Sequence, residues 1–245
     1  MKTKSFLSFL LLLATCLVGS SVFCSCSKDD VEETPPAGSN TADNKDPHEY
    51  VDLDLPSGTL WATCNVGANS PEEYGDYFAW GETKPKSDYS WSTYKYCQGS
   101  SSTMTKYCTD SDCGIVDNKT ELEPSDDAAT ANWGSGWQMP SREQRDELIN
   151  SSYTTTTWTT LNGKYGRMIT SKSNGNSIFL PAAGYRNGTS LSNAGSFTMY
   201  WSRSLSTSTG GGSGAYVLNF NSSDIYTGSQ IRCSGISVRP VRVKK

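Results

Sequence analysis

The chain has 245 residues and a formal net charge of −4. A surface of that sign lacks the electrostatic basis for a nucleic-acid or anionic-membrane partner, and the one basic run, Arg239 to Lys245, is read as the cap of a last strand. Seven Trp and thirteen Tyr in a chain rich in Ser, Gly and Asn suit a domain that displays aromatic rings on a polar face.

In chain order, Lys2 and Lys4 precede an apolar core from Phe6 to Val18, the charge-then-apolar order of a secretory signal. The core is shorter than the roughly 20 apolar residues that cross a bilayer. Lipoprotein signals are cut before a cysteine that follows small or apolar residues. Cys26 fits this better than Cys16, inside the apolar core, or Cys24, behind Ser21-Val22-Phe23. Residues 1–25 are therefore expected to be a signal peptide and Cys26 the lipidated residue; secretion after a cut near Ser25 is the alternative. Residues 26–48 are mostly Asp, Glu, Thr, Pro, Ser and Asn and cannot bury enough surface to offset ordering entropy, so a flexible acidic stalk is expected there. About 220 residues follow the leader, and residues 49–245 form one domain.

Within that domain Tyr50 to Leu55 alternates like a half-buried strand, and Thr59 to Thr63 returns as the second arm of a hairpin after Pro56-Ser57-Gly58. Tyr77 to Trp80 is a short aromatic strand, and residues 84–125 read as long polar surface loops. Ser141 followed by Gln144 is a capping box, which predicts a helix from Arg142 to Asn150 with Leu148 and Ile149 inward. Ile178 to Tyr185, Tyr200 to Ser202, Ala215 to Phe220 and Ile236 to Val241 read as further strands. The fold class is α+β, with a mainly antiparallel sheet of short strands, few helices and long loops.

Export permits disulfides, yet without Cys26 the domain holds Cys64, Cys97, Cys108, Cys113 and Cys233, an odd number. Cys108 and Cys113 can close a small loop, with Cys97 as a competing partner. Zinc is not expected: the C-x4-C pair has no second pair, and the single histidine, His48, lies in the stalk.

The acidic Lys28-Asp29-Asp30 after Cys26 resembles the tag of surface-exposed lipoproteins in Bacteroidota-type outer membranes, which implies a cell-surface, lipid-anchored location. The order Tyr50 to Gly67, Gly75 to Glu82, Asp126 to Ala129, Asn132-Trp133 to Trp137-Gln138-Met139-Pro140, Phe179 to Arg186, Tyr200 to Ser202 and Ser237 to Val241 closely resembles the Fibrobacter succinogenes major paralogous domain family. That resemblance spans about Tyr50 to Val243. It implies a C-type-lectin-like fold, in the branch that includes formylglycine-generating enzymes, where a Trp-x-x-Pro-Ser/Thr segment opens a helix and a Gly-Phe-Arg-like strand closes the domain. Trp137 to Ser141 and Ser237-Val238-Arg239 occupy those places.

The enzymes of that branch bind copper through C-x4-C on the C-terminal side of the helix. Here Cys108 and Cys113 lie before it and only Cys233 lies after it, so the soft two-sulfur pair for copper(I) is missing. With no histidine inside the domain, Ser-His-Asp and Cys-His arrangements are also out of reach. No enzyme activity and no cofactor are expected. Asp126 and Asp127 are read as capping the turn into Asn132-Trp133, with calcium at Glu123, Asp126 and Asp127 as the alternative. Residues 186–237 combine Ser, Thr, Gly and Asn with Tyr200, Trp201, Tyr216 and Tyr226, the mixture used by antibody loops. The expected contacts for an external glycan or protein are Tyr216, Asp224, Tyr226, Arg232 and Arg203, carried on loops between Arg186 and Ile236; Trp201 is expected in the core. A structural or adhesin subunit docking to a surface partner is the alternative. Several surface lipoproteins of this superfamily are targets of diversity-generating retroelements, and residues 222–236 are almost entirely of types reachable by adenine mutation of Asn codons, Gln230 excepted.

Overall fold

The computed structural model describes residues 47–207 and 212–243; the expected signal peptide, Cys26 and most of the stalk lie outside these residues. The first strands are β1 (Tyr50–Asp52), β2 (Thr59–Ala62) and β3 (Tyr77–Phe78), and the helices α1 (Ala128–Trp133) and α2 (Arg142–Leu148) follow. Then come β4 (Thr154–Leu161), β5 (Lys164–Ser171), β6 (Ser177–Pro181), β7 (Tyr185–Asn187), β8 (Ser190–Ser192), β9 (Phe197–Ser206), β10 (Gly214–Asn221), β11 (Ile225–Ile231), β12 (Ile236–Ser237) and β13 (Val241–Val243). Short antiparallel sheets dominate and the architecture is α+β.

The central sheet has the order β11-β10-β9-β12-β3. All its pairs are antiparallel except β12 with β9, where Ser237 lies opposite Tyr200. A small terminal sheet, β1-β2-β13, joins the two ends of the described domain. The hairpin β1-β2 turns at Gly58, whose φ of +67° suits a residue without Cβ, and Gly58 N–H donates to Leu55 O at 2.8 Å. A third sheet, β4-β5-β6, is built on the turn Asn162-Gly163, with φ of +46° and +79°. Both central residues of a type I′ hairpin turn need positive φ, and Asn-Gly supplies them.

Period-two alternation places a core on each face of the central sheet. On one face Trp201, Val217 and Ala215 pack with Trp80, Tyr94 and Tyr107. On the other, Tyr200, Leu218 and Phe220 pack with Trp61, Leu148 and Ile169. Both large indoles of the first face are satisfied, Trp80 Nε1 donating to Ser202 O at 2.8 Å and Trp201 Nε1 to Phe78 O at 2.7 Å. Trp201 is core, as expected.

Three expectations need correction. Residues 84–125 are irregular but not a surface loop: Tyr89, Tyr94, Tyr96, Met104, Tyr107 and Leu122 are buried and form the lid of the first core. Their polar ends are met internally, Tyr94 Oη donating to Trp80 O at 2.7 Å and Tyr89 Oη to Tyr77 O at 2.5 Å. Much of the stretch from Arg186 to Ile236 is strand: β10 and β11 pair over their whole length, from Gly214 opposite Ile231 to Phe220 opposite Ile225. The helix expected to reach Asn150 stops at Leu148, and α1 is an additional one; the capping box is present, Gln144 N–H donating to Ser141 Oγ at 3.2 Å and Ser141 N–H to Gln144 Oε1 at 2.8 Å. Cys108 and Cys113 form a disulfide inside the lid, while Cys64, Cys97 and Cys233 are free thiols.

Candidate binding groove

The acidic stretch at the start of α1 does structural work. Asp127 accepts from Thr130 N–H at 3.0 Å, capping the helix, and from Met139 N–H at 2.8 Å, pinning the extended segment that follows. Burial raises its carboxyl, and those backbone donors oppose the rise. Asp126 accepts from Lys106 Nζ at 2.6 Å, Tyr107 Oη at 2.7 Å and Lys95 Nζ at 3.2 Å. Burial pushes the Asp126 carboxyl up, but these donors, with Tyr96, outweigh it and hold the group down at about 2. Glu123 is bridged by Lys106 and Lys119, which lower its pKa. The carboxylates suggested for calcium are thus already matched with ammonium groups and N–H donors, and among the described residues no group of three or more His, Cys, Asp or Glu is placed to hold a metal ion.

What Asp127 positions is an aromatic cluster. Gly134, at φ +93°, ends α1, and Trp137 N–H turns back to Gly134 O at 3.0 Å. Thr130 Oγ1 then holds Trp137 O at 2.7 Å, and Gln138 exchanges backbone hydrogen bonds with Val241 at 3.0 and 2.9 Å. The Trp133 and Trp137 rings meet edge to face at 5.1 Å. His48, expected in the stalk, stacks flat on Trp133 at 3.7 Å. Tyr50, 48% exposed, approaches Trp137 at 6.4 Å. Arg242 lies over both rings, 5.2 Å from Tyr50 and 5.4 Å from Trp137. Tyr50 and Arg242 reach the same face because they pair with Ala62 and Leu60, two positions apart on β2.

Three hollows surround this cluster. One of about 430 Å³ lies between His48, Trp133, Thr63, Cys64 and Asn69. On the Trp137 side, a hollow of about 310 Å³ is lined by Trp137, Gln138, Thr130, Ser135 and Arg242. It shares Pro124, Thr130 and Gln138 with a third of about 290 Å³ that ends at Arg203 and Glu121. Arg203 Nε donates to Glu121 Oε2 at 2.7 Å. Trp137 is buried, and half-buried Trp133 under His48, exposed Tyr50, side-chain amides, hydroxyls and two guanidinium groups offer the chemistry of recognition: apolar ring surface with neutral and cationic donors around it.

Of the residues expected to contact a ligand, the structure brings only Arg203 to this groove. Arg232 requires correction. It is fully buried, donating to Tyr107 O at 2.7 Å, Gly212 O at 2.9 Å, Lys106 O at 3.0 Å and Tyr94 Oη at 3.0 Å, and it staples the lid to the sheet rather than facing solvent. Tyr216 lies on β10 with its hydroxyl accepting from Arg142 Nη1 at 2.9 Å and the guanidinium 4.3 Å above its ring. Tyr226, 50% exposed, pairs with Asn219, an odd number of positions from Tyr216, so the two tyrosines stand on opposite faces of the sheet. Asp224 is exposed in the β10-β11 turn, its N–H bonded to Asn221 Oδ1 at 2.8 Å. Comparison with known proteins finds no family model, no curated relative and no solved structure that matches this chain.

Proposed function

We propose that this protein is a lipid-anchored, cell-surface binding module of the C-type-lectin-like kind, non-catalytic, which takes an external glycan in the groove around Trp133 and Trp137. The observation that carries this reading is the aromatic cluster flanked by open hollows that also present Asn69, Gln138, Arg203 and Arg242. Sugars have apolar C–H faces for rings and hydroxyls for amide and guanidinium donors. The fold assignment is supported by the helix that opens at Ser141 directly after Trp137 to Pro140, and by Ser237 to Arg239 in the closing segment. The lipid anchor rests on Cys26 and its leader.

A second reading, docking of a protein partner, is favoured by β11. This edge strand of the central sheet carries no charged residue and leaves Tyr226 50% and Ile231 39% exposed. Such an edge accepts an added strand readily, and β11 falls inside residues 222–236, the stretch where residue variation is expected.

The test is a glycan array followed by titration of the protein lacking residues 1–25. Trp133→Ala should weaken the best glycan at least about tenfold, the scale of one lost aromatic contact, while Tyr226→Ala leaves it unchanged. Binding that is lost with Tyr226→Ala but survives Trp133→Ala would move the site to β11.

A further inference from the structure

Among the described residues, the buried side-chain nitrogen and oxygen atoms without a hydrogen-bond partner are Trp61 Nε1, Arg145 Nε and Nη2, Ser237 Oγ and Arg239 Nη2. Three of the four residues, Arg145, Ser237 and Arg239, lie within two links of Tyr200. Arg145 Nη1 donates to Tyr200 O at 3.3 Å, and Ser237 stands opposite Tyr200 where β12 pairs with β9. Arg239 Nε donates to Asn65 Oδ1 at 2.9 Å, and the amide of that Asn65 donates to Tyr200 Oη at 3.3 Å. Arg239 Nη1 reaches Ala62 O at 3.1 Å, the residue after Trp61. Ser237 on β12 is flanked by Ile236 and Val238, which belong to the opposite core, and Arg239 follows the strand. The unpartnered atoms of Arg145 and Ser237 therefore both adjoin the Tyr200 backbone, where α2 packs on the central sheet.

Their chemistry is one-sided. Trp61 Nε1 and the arginine nitrogens can only donate, and Ser237 Oγ is the sole atom of the set that can also accept. The charge is one-sided too. Arg145 and Arg239 are 0% and 1% exposed, and among the described residues no carboxylate bonds either guanidinium. The acids beside Arg145 on its helix are engaged elsewhere, Asp146 with Thr227 and Arg142, Glu143 with Ser141. Burial lowers the pKa of both arginines. An uncompensated buried cation costs several kcal/mol, a charge that an anion offsets and a neutral water does not.

We propose that a small inorganic anion of the halide class, chloride under ordinary conditions, is held beside Tyr200, bound by Arg145 and Ser237. The site is internal, so it serves stability rather than recognition.

The decisive experiment is thermal unfolding of the protein without its leader at fixed ionic strength, replacing gluconate by chloride. Between about 1 mM and about 300 mM chloride the midpoint should rise by roughly 5 °C and saturate, as ligand binding to the native state requires. Ser237→Ala should flatten the curve, and Arg145→Met should abolish it. If Arg145→Met does not fold, wild-type crystals grown in bromide decide the matter: an anomalous peak beside Arg145 and Ser237 is expected. A midpoint indifferent to chloride, or a bromide crystal with no anomalous peak there, overturns the proposal.

Discussion

Asp126 shows how a single side chain fixes a long irregular segment. Its carboxylate gathers Lys95, Lys106 and Tyr107 and so ties the lid to the start of α1. Because the group titrates near 2 when folded and near about 3.9 when unfolded, its contribution is complete above about pH 4 and is lost as pH falls through about 2. Asp126→Asn should therefore cost about 2 kcal/mol at pH 7 by urea unfolding, with the gap to wild type narrowing toward pH 2. An equal gap at both pH values would mean that shape rather than charge is what matters there. Arg232 teaches the complementary lesson. An arginine among Ser, Gly and Ile reads as exposed, and only the tertiary fold brings four oxygen acceptors from the lid, Tyr94 and Gly212 around it.

At the level of elements, local signals were legible and long-range ones were not. The capping box at Ser141 could be read because both partners lie within one helical turn. Ser141→Ala should lower stability by about 1 kcal/mol, seen as a shift in the denaturant midpoint with an unchanged slope. The β4-β5 hairpin also carries a local signal, Asn162-Gly163 directly after the Thr-rich β4. α1 is too short for helical periodicity to show. β11 has the composition of a loop and becomes a strand only because β10 offers it a full register of partners. The groove was half legible. Trp133 and Trp137 stood out as a motif, but His48, Tyr50 and Arg242 come from opposite ends of the domain, and no local pattern announces that β1 and β13 share β2.

For the molecule as a whole, closure depends on its last residues. Ile236, Val238 and Val241 contribute to the two cores, and β12 bridges β9 to β3 while β13 borders β2. A chain ending at Gly235 should lose both bridges and show no cooperative thermal transition by circular dichroism; a sharp transition near the wild-type midpoint would mean that these strands merely decorate a finished domain.

That topology has a bearing on biogenesis. The first strands of the domain wait for the last ones, and nearly two hundred residues of chain separate β1 from the β13 that completes its sheet. Synthesis from the N-terminus therefore leaves the sheet of β1 and β2 incomplete until β13 has been made. With residues 1–25 acting as the proposed leader, a translocation apparatus that engages them early would meet a pliable chain, and the order of strands itself would help to keep it threadable.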